Sequence, residues 1–290
     1  MVASRPVLEA VSVAGEALAR APRIEGVPTG VPGLDELFFT AETRGGKLRV
    51  RPLPGFPRYA AVHVTGVSDT GKSLLAEQFA LAQADRGEGV IFVTVENPAA
   101  FVSVGLEQRR AAMGLAKGTL DRIALVDAAR HPELREDLAT LGATLDAALG
   151  KVDARHLVID SLTGLYEARE VAARPIVRWI YQFTKERGLT AVLTSQKRSS
   201  HEELSAEAAG GFVVSHVLDV TVVLAKKLVM STAQARVWRA PLGEVVRFIR
   251  VDGSRYSGHD TRTHFLEITP AGLLRVGPPV GAGEEGGEAQ

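Results

Sequence analysis

The strongest constraint on this chain is the octapeptide Gly66-Val67-Ser68-Asp69-Thr70-Gly71-Lys72-Ser73, which fits G-x-x-x-x-G-K-[ST]. The pattern requires a buried strand before it and a helix after it. Its glycines let the backbone turn successive amide N–H groups inward. The helix N-terminus adds its own orphan donors, so the loop becomes an anion cradle. Lys72 places a cation on the β- and γ-phosphates, and the Ser73 hydroxyl is a ligand for Mg²⁺. The flanks meet the requirement. Ala60–Thr65 is short, apolar and β-branched, and Ser73–Gly87 carries Leu74, Leu75, Gln78, Phe79 and Leu81 near one face of an amphipathic helix. The expected contacts to ATP are therefore Gly66, Val67, Ser68, Asp69, Thr70, Gly71, Lys72, Ser73 and Leu74. Asp69 is unusual here, because a carboxylate facing phosphates is repelled. It is expected to point outward, to solvent or to a neighbouring subunit.

Further strands are expected at Val90–Val95, Ile123–Val126, His156–Ile159 and Thr190–Thr194. They alternate with helices at Phe101–Leu115, Pro132–Leu149 and Ala172–Arg187. Such alternation specifies an α/β fold with a mostly parallel central sheet and helices on both faces. Beyond about Val220 the segments Thr221–Ala225, Ala235–Arg239, Val245–Val251, Thr263–Ile268 and Leu273–Val276 read as close-spaced strands. Turn signals join them at Pro241-Leu242-Gly243 and Asp252-Gly253, which predicts a C-terminal antiparallel extension of the same sheet. Ahead of the loop, Val7–Ala21 reads as a short helix that packs either on its own core or on a neighbouring subunit. Gly26–Leu37 is a Gly- and Pro-rich lead-in, and Lys47–Arg51 a hairpin strand. Pro278–Gln290 is Gly- and Glu-rich and is expected to be a disordered tail. The predicted organisation is an N-terminal helical segment over 1–25, one ATPase domain over 26–276, and a tail over 277–290.

Ligands of open α/β sheets sit at the carboxyl ends of the strands. Three polar residues end there. Asp160 follows His156–Ile159 and is placed to hold the water shell of Mg²⁺. Glu96 ends the second strand and is placed to polarise an attacking water. Gln196 ends the fifth and can sense the γ-phosphate. A turn or helix-cap role is the plainer alternative for Asp160 and Glu96, and an ordinary strand-to-loop polar residue for Gln196. His63 reads as a core histidine beneath the loop, and Lys226-Lys227 as a solvated strand edge. Arginine plus lysine total 34, matched by 34 acidic residues. Such balance disfavours a dedicated nucleic-acid binder. The Lys197–Gly211 region, where a DNA-binding loop would lie, mixes Lys197, Arg198 and His201 with Glu202, Glu203 and Glu207. DNA is thus possible but not favoured. The chain has no cysteine, which excludes disulfides, thiolate catalysis and zinc–thiolate sites. The seven histidines lack ligand spacing, leaving Mg²⁺ brought with ATP as the expected metal. No run approaches the roughly 18 apolar residues of a membrane helix, and the start lacks a signal-peptide pattern. A soluble, cytoplasmic protein without membrane insertion is expected.

The chain resembles the KaiC-like branch of the RecA superfamily. The resemblance rests on PTGVPGLDEL at Pro28–Leu37, the phosphate loop, the strand ending in Glu96, and VIDSLTGL at Val158–Leu165. It extends through Ser215–Leu224 and Ile249–Tyr256, and covers about residues 26–276. It implies a RecA-like P-loop ATPase core and a homohexameric ring with ATP between subunits. Lys72 and Ser73 would contact phosphate and Mg²⁺, Glu96 would be the catalytic glutamate, and Asp160 the Walker-B acid. Arg250 and Ser254 match the segment that reaches a neighbour's ATP, an arginine-finger device that makes hydrolysis depend on assembly. An ATP-driven switch read by a protein partner follows. Several features depart from clock-type members, among them a longer piece between Leu37 and the phosphate loop. Asn97 stands where they have a second glutamate, Asp252 replaces a basic residue, Tyr256 replaces a histidine, and there is one such domain, not two. Arg255 is a substitute cation on this view, and autophosphorylation would rest on Ser215.

Overall fold

The computed structural model describes residues 6–197 and 216–281. Its main sheet has nine strands: β1 (Ala61–Gly66), β2 (Gly89–Thr94), β3 (Ile123–Asp127), β4 (Ala154–Asp160), β5 (Thr190–Gln196), β6 (Val220–Leu228), β7 (Val245–Ser254), β8 (His264–Ile268) and β9 (Leu274–Pro279). They lie in the order β9-β8-β7-β6-β1-β5-β4-β2-β3. The run from β6 to β3 is parallel throughout, and β7, β8 and β9 extend it antiparallel. The fold is thus a RecA-like α/β core with antiparallel C-terminal strands.

One strand runs differently from expectation. The segment at Thr221–Ala225 belongs to the parallel set: β6 pairs with β1 from Val220↔Val62 to Leu224↔Gly66. The antiparallel part therefore starts only at β7. Strand direction is decided by the connection and the partner, and a local apolar pattern carries neither.

Successive side chains of a strand face opposite ways, and here the two sets build two cores. Ala61, Ile91, Val93, Leu157, Ile159, Ala191 and Leu193 pack beneath α3 (Leu138–Val152) and α4 (Ala173–Glu186). Val62, Val64, Val90, Phe92, Val158 and Val192 pack beneath α1 (Lys72–Asp85), together with Val27, Leu34, Phe38 and Phe56 of the lead-in. Helix α2 (Ala99–Ala112) lies beside α1.

Helix α1 is not amphipathic. From Leu75 to Ala84 every residue except Ala82 is buried. The lead-in and β9 cover the side that a surface helix would leave wet, and two glutamines hold them. Gln78 donates to the carbonyls of Gly30 (3.0 Å) and Leu274 (3.3 Å), and accepts from the Leu274 amide (2.6 Å). Gln83 donates to the Pro28 carbonyl at 2.5 Å. The approach is close enough to demand glycine. A Cβ on Gly30, whose φ is +73°, would meet the Gln78 carbonyl oxygen at 2.7 Å.

Other segments also depart from expectation. Val7–Ala21 forms a 3₁₀ turn (Leu8–Ala10) and a six-residue helix (Ala14–Ala19) with no buried residue, so it does not cap its own core. Pro132–Leu149 is broken at Asp137, whose carboxylate caps α3 through the amides of Ala139 and Thr140. Ala235–Arg239 is not a strand: Thr232–Trp238 is a helix capped by Ser231. Asp252-Gly253 is no turn but a bulge inside β7, where Thr221 faces Gly253 and Val222 faces Val251. Lys47–Pro52 is the expected hairpin strand, and it pairs with Phe38–Arg44 across Gly45-Gly46, both at positive φ. Strand β9 runs to Pro279, beyond the expected start of the tail. The remainder of that tail from 282, the region 198–211 and Ser215 lie outside the described residues.

Candidate functional site

The cradle forms where β1 gives way to α1. Gly66 lies against the carbonyl of Leu224 on β6, and a Cβ there would meet that oxygen at 2.5 Å and the Thr70 hydroxyl at 2.7 Å. Asp69 (φ +61°) and Gly71 (φ +102°) take left-handed backbone. That conformation is free to glycine and tolerated by aspartate. Gly71 is the N-cap of α1 and offers no side chain to the helix's first amides. Those donors therefore face the cradle without an internal acceptor, at the positive end of the helix dipole. The loop closes on one carbonyl instead: Val67 O accepts from the Thr70 hydroxyl (3.0 Å) and from Lys72 Nζ (2.8 Å).

Three strand ends complete the rim. At the end of β4, Asp160 Oδ1 accepts the Thr194 hydroxyl at 2.6 Å, and its carboxylate also accepts from Ser73. Beyond β2, Glu96 Oε1 accepts the Ser161 hydroxyl at 2.6 Å. At the end of β5, Gln196 Nε2 donates to Ser68 Oγ at 2.9 Å, and its amide donates to Thr163 Oγ1 at 3.0 Å. Burial pushes Asp160 above the usual carboxylate range and Glu96 adds to the effect, against its hydrogen bonds and the charge of Lys72. Burial also lowers Lys72, against the pull of Asp160 and Glu96. The Asp160 carboxylate and the Lys72 ammonium are thus held in a setting that favours neither charge, which is a common signature of a ligand site.

Every expected residue of the loop lies here, as do Glu96, Asp160 and Gln196. Leu74 offers only its backbone amide, since its half-buried side chain packs into the core. Arg250 and Ser254 lie elsewhere. Arg250 pairs across β6 with Val223 and holds Asp252 of its own strand. Ser254 lies at the far end of β7, its hydroxyl 2.8 Å from that of Ser257. Asp69 is two-thirds exposed but not free. Its carboxylate holds Arg247 (2.9 Å) and Lys226 (3.3 Å), so Lys226 is not a plain solvated edge. His63 is fully buried, with Nε2 2.6 Å from Ser195 Oγ, and burial drops it to about 3.

Two features have no counterpart in the sequence reading. Glu77, one turn beyond Ser73, is buried against Arg109 of α2 with Nε and Oε2 2.7 Å apart. Burial raises it to about 7, Arg109 opposing and Asp160 adding. Ser161 hydrogen-bonds Glu96. An acid inside an otherwise buried helix face was the available signal for Glu77, and Ser161 had none beyond following Asp160.

The donor set suits Mg²⁺. Ser73 and Asp160 offer two hard oxygens side by side, and the described residues hold no cluster of three or more His, Asp or Glu that could hold a metal ion. Mg²⁺ typically uses one or two protein oxygens, and takes its other ligands from water and substrate phosphates.

The sequence profile of the family described as "ATPase: KaiC" matches residues 27–280. A UPF0273 protein of Methanopyrus kandleri is 28% identical over 285 residues, covering 92% of this chain and 98% of its own. The circadian clock protein KaiC3 of Synechocystis is 27% identical over 213 residues, covering 70% of this chain and 39% of its own. Among solved structures, a KaiC-like protein from Pyrococcus horikoshii superposes with a TM-score of 0.65 at 23% identity, over 88% of this chain and all of its own. No helix among the described residues is long and apolar enough to cross a membrane.

Proposed function

The chain belongs to the KaiC ATPase family, and on that premise we propose that it binds ATP with Mg²⁺ in the Gly66–Ser73 cradle and hydrolyses it. The carrying observation is the convergence of Lys72, Asp160 and Glu96 around the uncapped start of α1. Lys72 exchanges the Val67 carbonyl for phosphate oxygens. Ser73 and Asp160 hold the metal. Bound Mg²⁺ would neutralise charge on the phosphates. Glu96, aimed by the Ser161 hydroxyl, orients the attacking water and draws on its proton. Gln196, resting on Ser68, reports the state of the γ-phosphate to the segment that follows Lys197.

The same reading makes the protein a ring-forming homo-oligomer, a hexamer on the family pattern, acting in the cytoplasm as an ATP-driven switch on a protein partner. The ATPase unit starts at about residue 26 and includes β9 to Pro279, beyond the expected end at 276, in keeping with the family match over residues 27–280. Arg250 and Ser254 serve the neighbour's nucleotide. Support comes from strand geometry. Arg250 is three residues from Arg247, which reaches its own loop, so it emerges on the opposite face of β7 and about 10 Å further along. DNA is not part of the proposal. The test is ATP hydrolysis by wild type and Glu96→Gln. Equal rates of phosphate release overturn the role of Glu96.

A further inference from the structure

Arg247 and Lys226 stand directly opposite each other on β7 and β6. Like charges across a strand pair repel unless an anion lies between them. Here the anion is Asp69, from inside the phosphate loop. Its carboxylate holds Lys226 Nζ at 3.3 Å and Arg247 Nη2 at 2.9 Å, and its carbonyl accepts Arg247 Nε at 3.1 Å. One carboxylate neutralises half of that pair. The residual positive charge sits on the flank of the cradle. It is near enough that Lys226 and Asp69 both act on the Lys72 ammonium, with opposite signs. Both cations are partly exposed, at 31% for Lys226 and 20% for Arg247, so they retain freedom to exchange partners. Strand β6 also runs hard against the loop, with the Leu224 carbonyl touching Gly66.

We propose that Lys226 and Arg247 form a second phosphate grip within the same subunit, which reads the outermost phosphate, and that Asp69 is the counter-anion holding the pair until nucleotide arrives. The proposal rests on the ATP-binding reading of the cradle. It gives Asp69 a purpose its outward orientation alone does not. A triphosphate carries the anionic group that draws the two cations off Asp69, and a diphosphate ends one group short. Asp69 then competes with the γ-phosphate, so the loop discriminates ATP from ADP by a difference in affinity. The grip also supplies, in cis, positive charge near the site in a chain whose cross-subunit segment carries Asp252.

The affinities of Mg-ATP and ADP, measured by calorimetry on the full chain, test it, with thermal melting to confirm folding. Asp69→Asn is expected to tighten ATP by about fivefold and ADP by clearly less, because charge-assisted contacts pass to the ligand. Lys226→Met and Arg247→Met are each expected to weaken ATP by about fivefold with a smaller effect on ADP. In the double Lys226→Met/Arg247→Met background, Asp69→Asn should no longer change either affinity. The proposal is overturned if Asp69→Asn weakens both nucleotides or leaves both unchanged, as a purely loop-shaping aspartate would do. It is equally overturned if the double variant keeps the wild-type ratio of the two affinities. A folded wild type that takes up neither nucleotide sinks the parent reading itself, an outcome distinct from both.

Discussion

The two rims of the parallel sheet use the same residue types to opposite ends. At the amino-terminal rim, Asp219 is fully engaged. It accepts the Ala61 amide (2.8 Å), Lys185 Nζ (2.6 Å) and the Tyr181 hydroxyl (3.2 Å), while Lys185 lies over the rings of Tyr181 and Tyr256. Arg255 spends its guanidinium on the carbonyls of His216 and Val217. Each of these charges meets a partner inside the chain. At the carboxyl-terminal rim, Lys72 is satisfied by one carbonyl, the first amides of α1 have no cap, and burial works against the charged forms of both Lys72 and Asp160. Complete pairing stabilises a fold. Incomplete pairing leaves attraction available to a ligand.

This contrast can be broken most sharply at Asp219. Asp219→Ala takes the buried carboxylate away from the half-buried Lys185, which keeps the Tyr59 carbonyl, and from the Ala61 amide, and should cost about 3 kcal/mol of stability in denaturant titration, with nucleotide affinity kept in the protein that remains folded. Loss of binding without loss of stability would erase the distinction between the rims. Glu96→Gln should do the converse. Phosphate release is expected to fall by about 10²–10³, with an unchanged melting temperature.

Glu77 sharpens the comparison, since it lies just behind the ligand rim yet is buried. Its folded value of about 7 stands above the ordinary 4.5. The native state therefore holds the proton more tightly than the unfolded chain. Stability is greatest below about pH 4.5 as far as this group is concerned, and falls as pH rises through 7. The drop should be on the order of 2–3 kcal/mol, and Glu77→Gln should flatten it. A wild-type profile without slope between pH 5 and 8 would contradict the burial argument. The smallest effect is expected away from both rims. Arg51 and Glu42 pair on the exposed hairpin at 3.0 Å, and Arg51→Ala should shift stability by less than about 0.5 kcal/mol.

Much of the ligand rim was legible in the sequence because its chemistry is local. A loop of fixed spacing, and acids directly after apolar runs, announce themselves along the chain. What was not legible depended on neighbours distant in sequence. The direction of β6 is set by its pairing with β1. The all-round burial of α1 is imposed by β9, nearly 200 residues later, through Gln78. Asp69 finds its partners on β6 and β7. Other signals were present but unread. Ser231 and Gln234 have the S-x-x-Q spacing of a helix start, and Ser231 Oγ accepts the Gln234 amide at 3.2 Å. Asp137 likewise carried its cap in its residue type. Gly45-Gly46 is a two-residue turn signal that should have supplied Phe38–Arg44 as the partner of Lys47–Pro52.

The most direct measurement is calorimetric titration of Mg-ATP into the full-length chain and into Lys72→Ala, with matched melting curves. The account predicts saturable uptake by the first and none by the second, at equal stability. Folded wild-type protein that releases no heat of binding with Mg-ATP or ADP at any temperature tried, and shows no nucleotide-dependent rise in melting temperature, would contradict it.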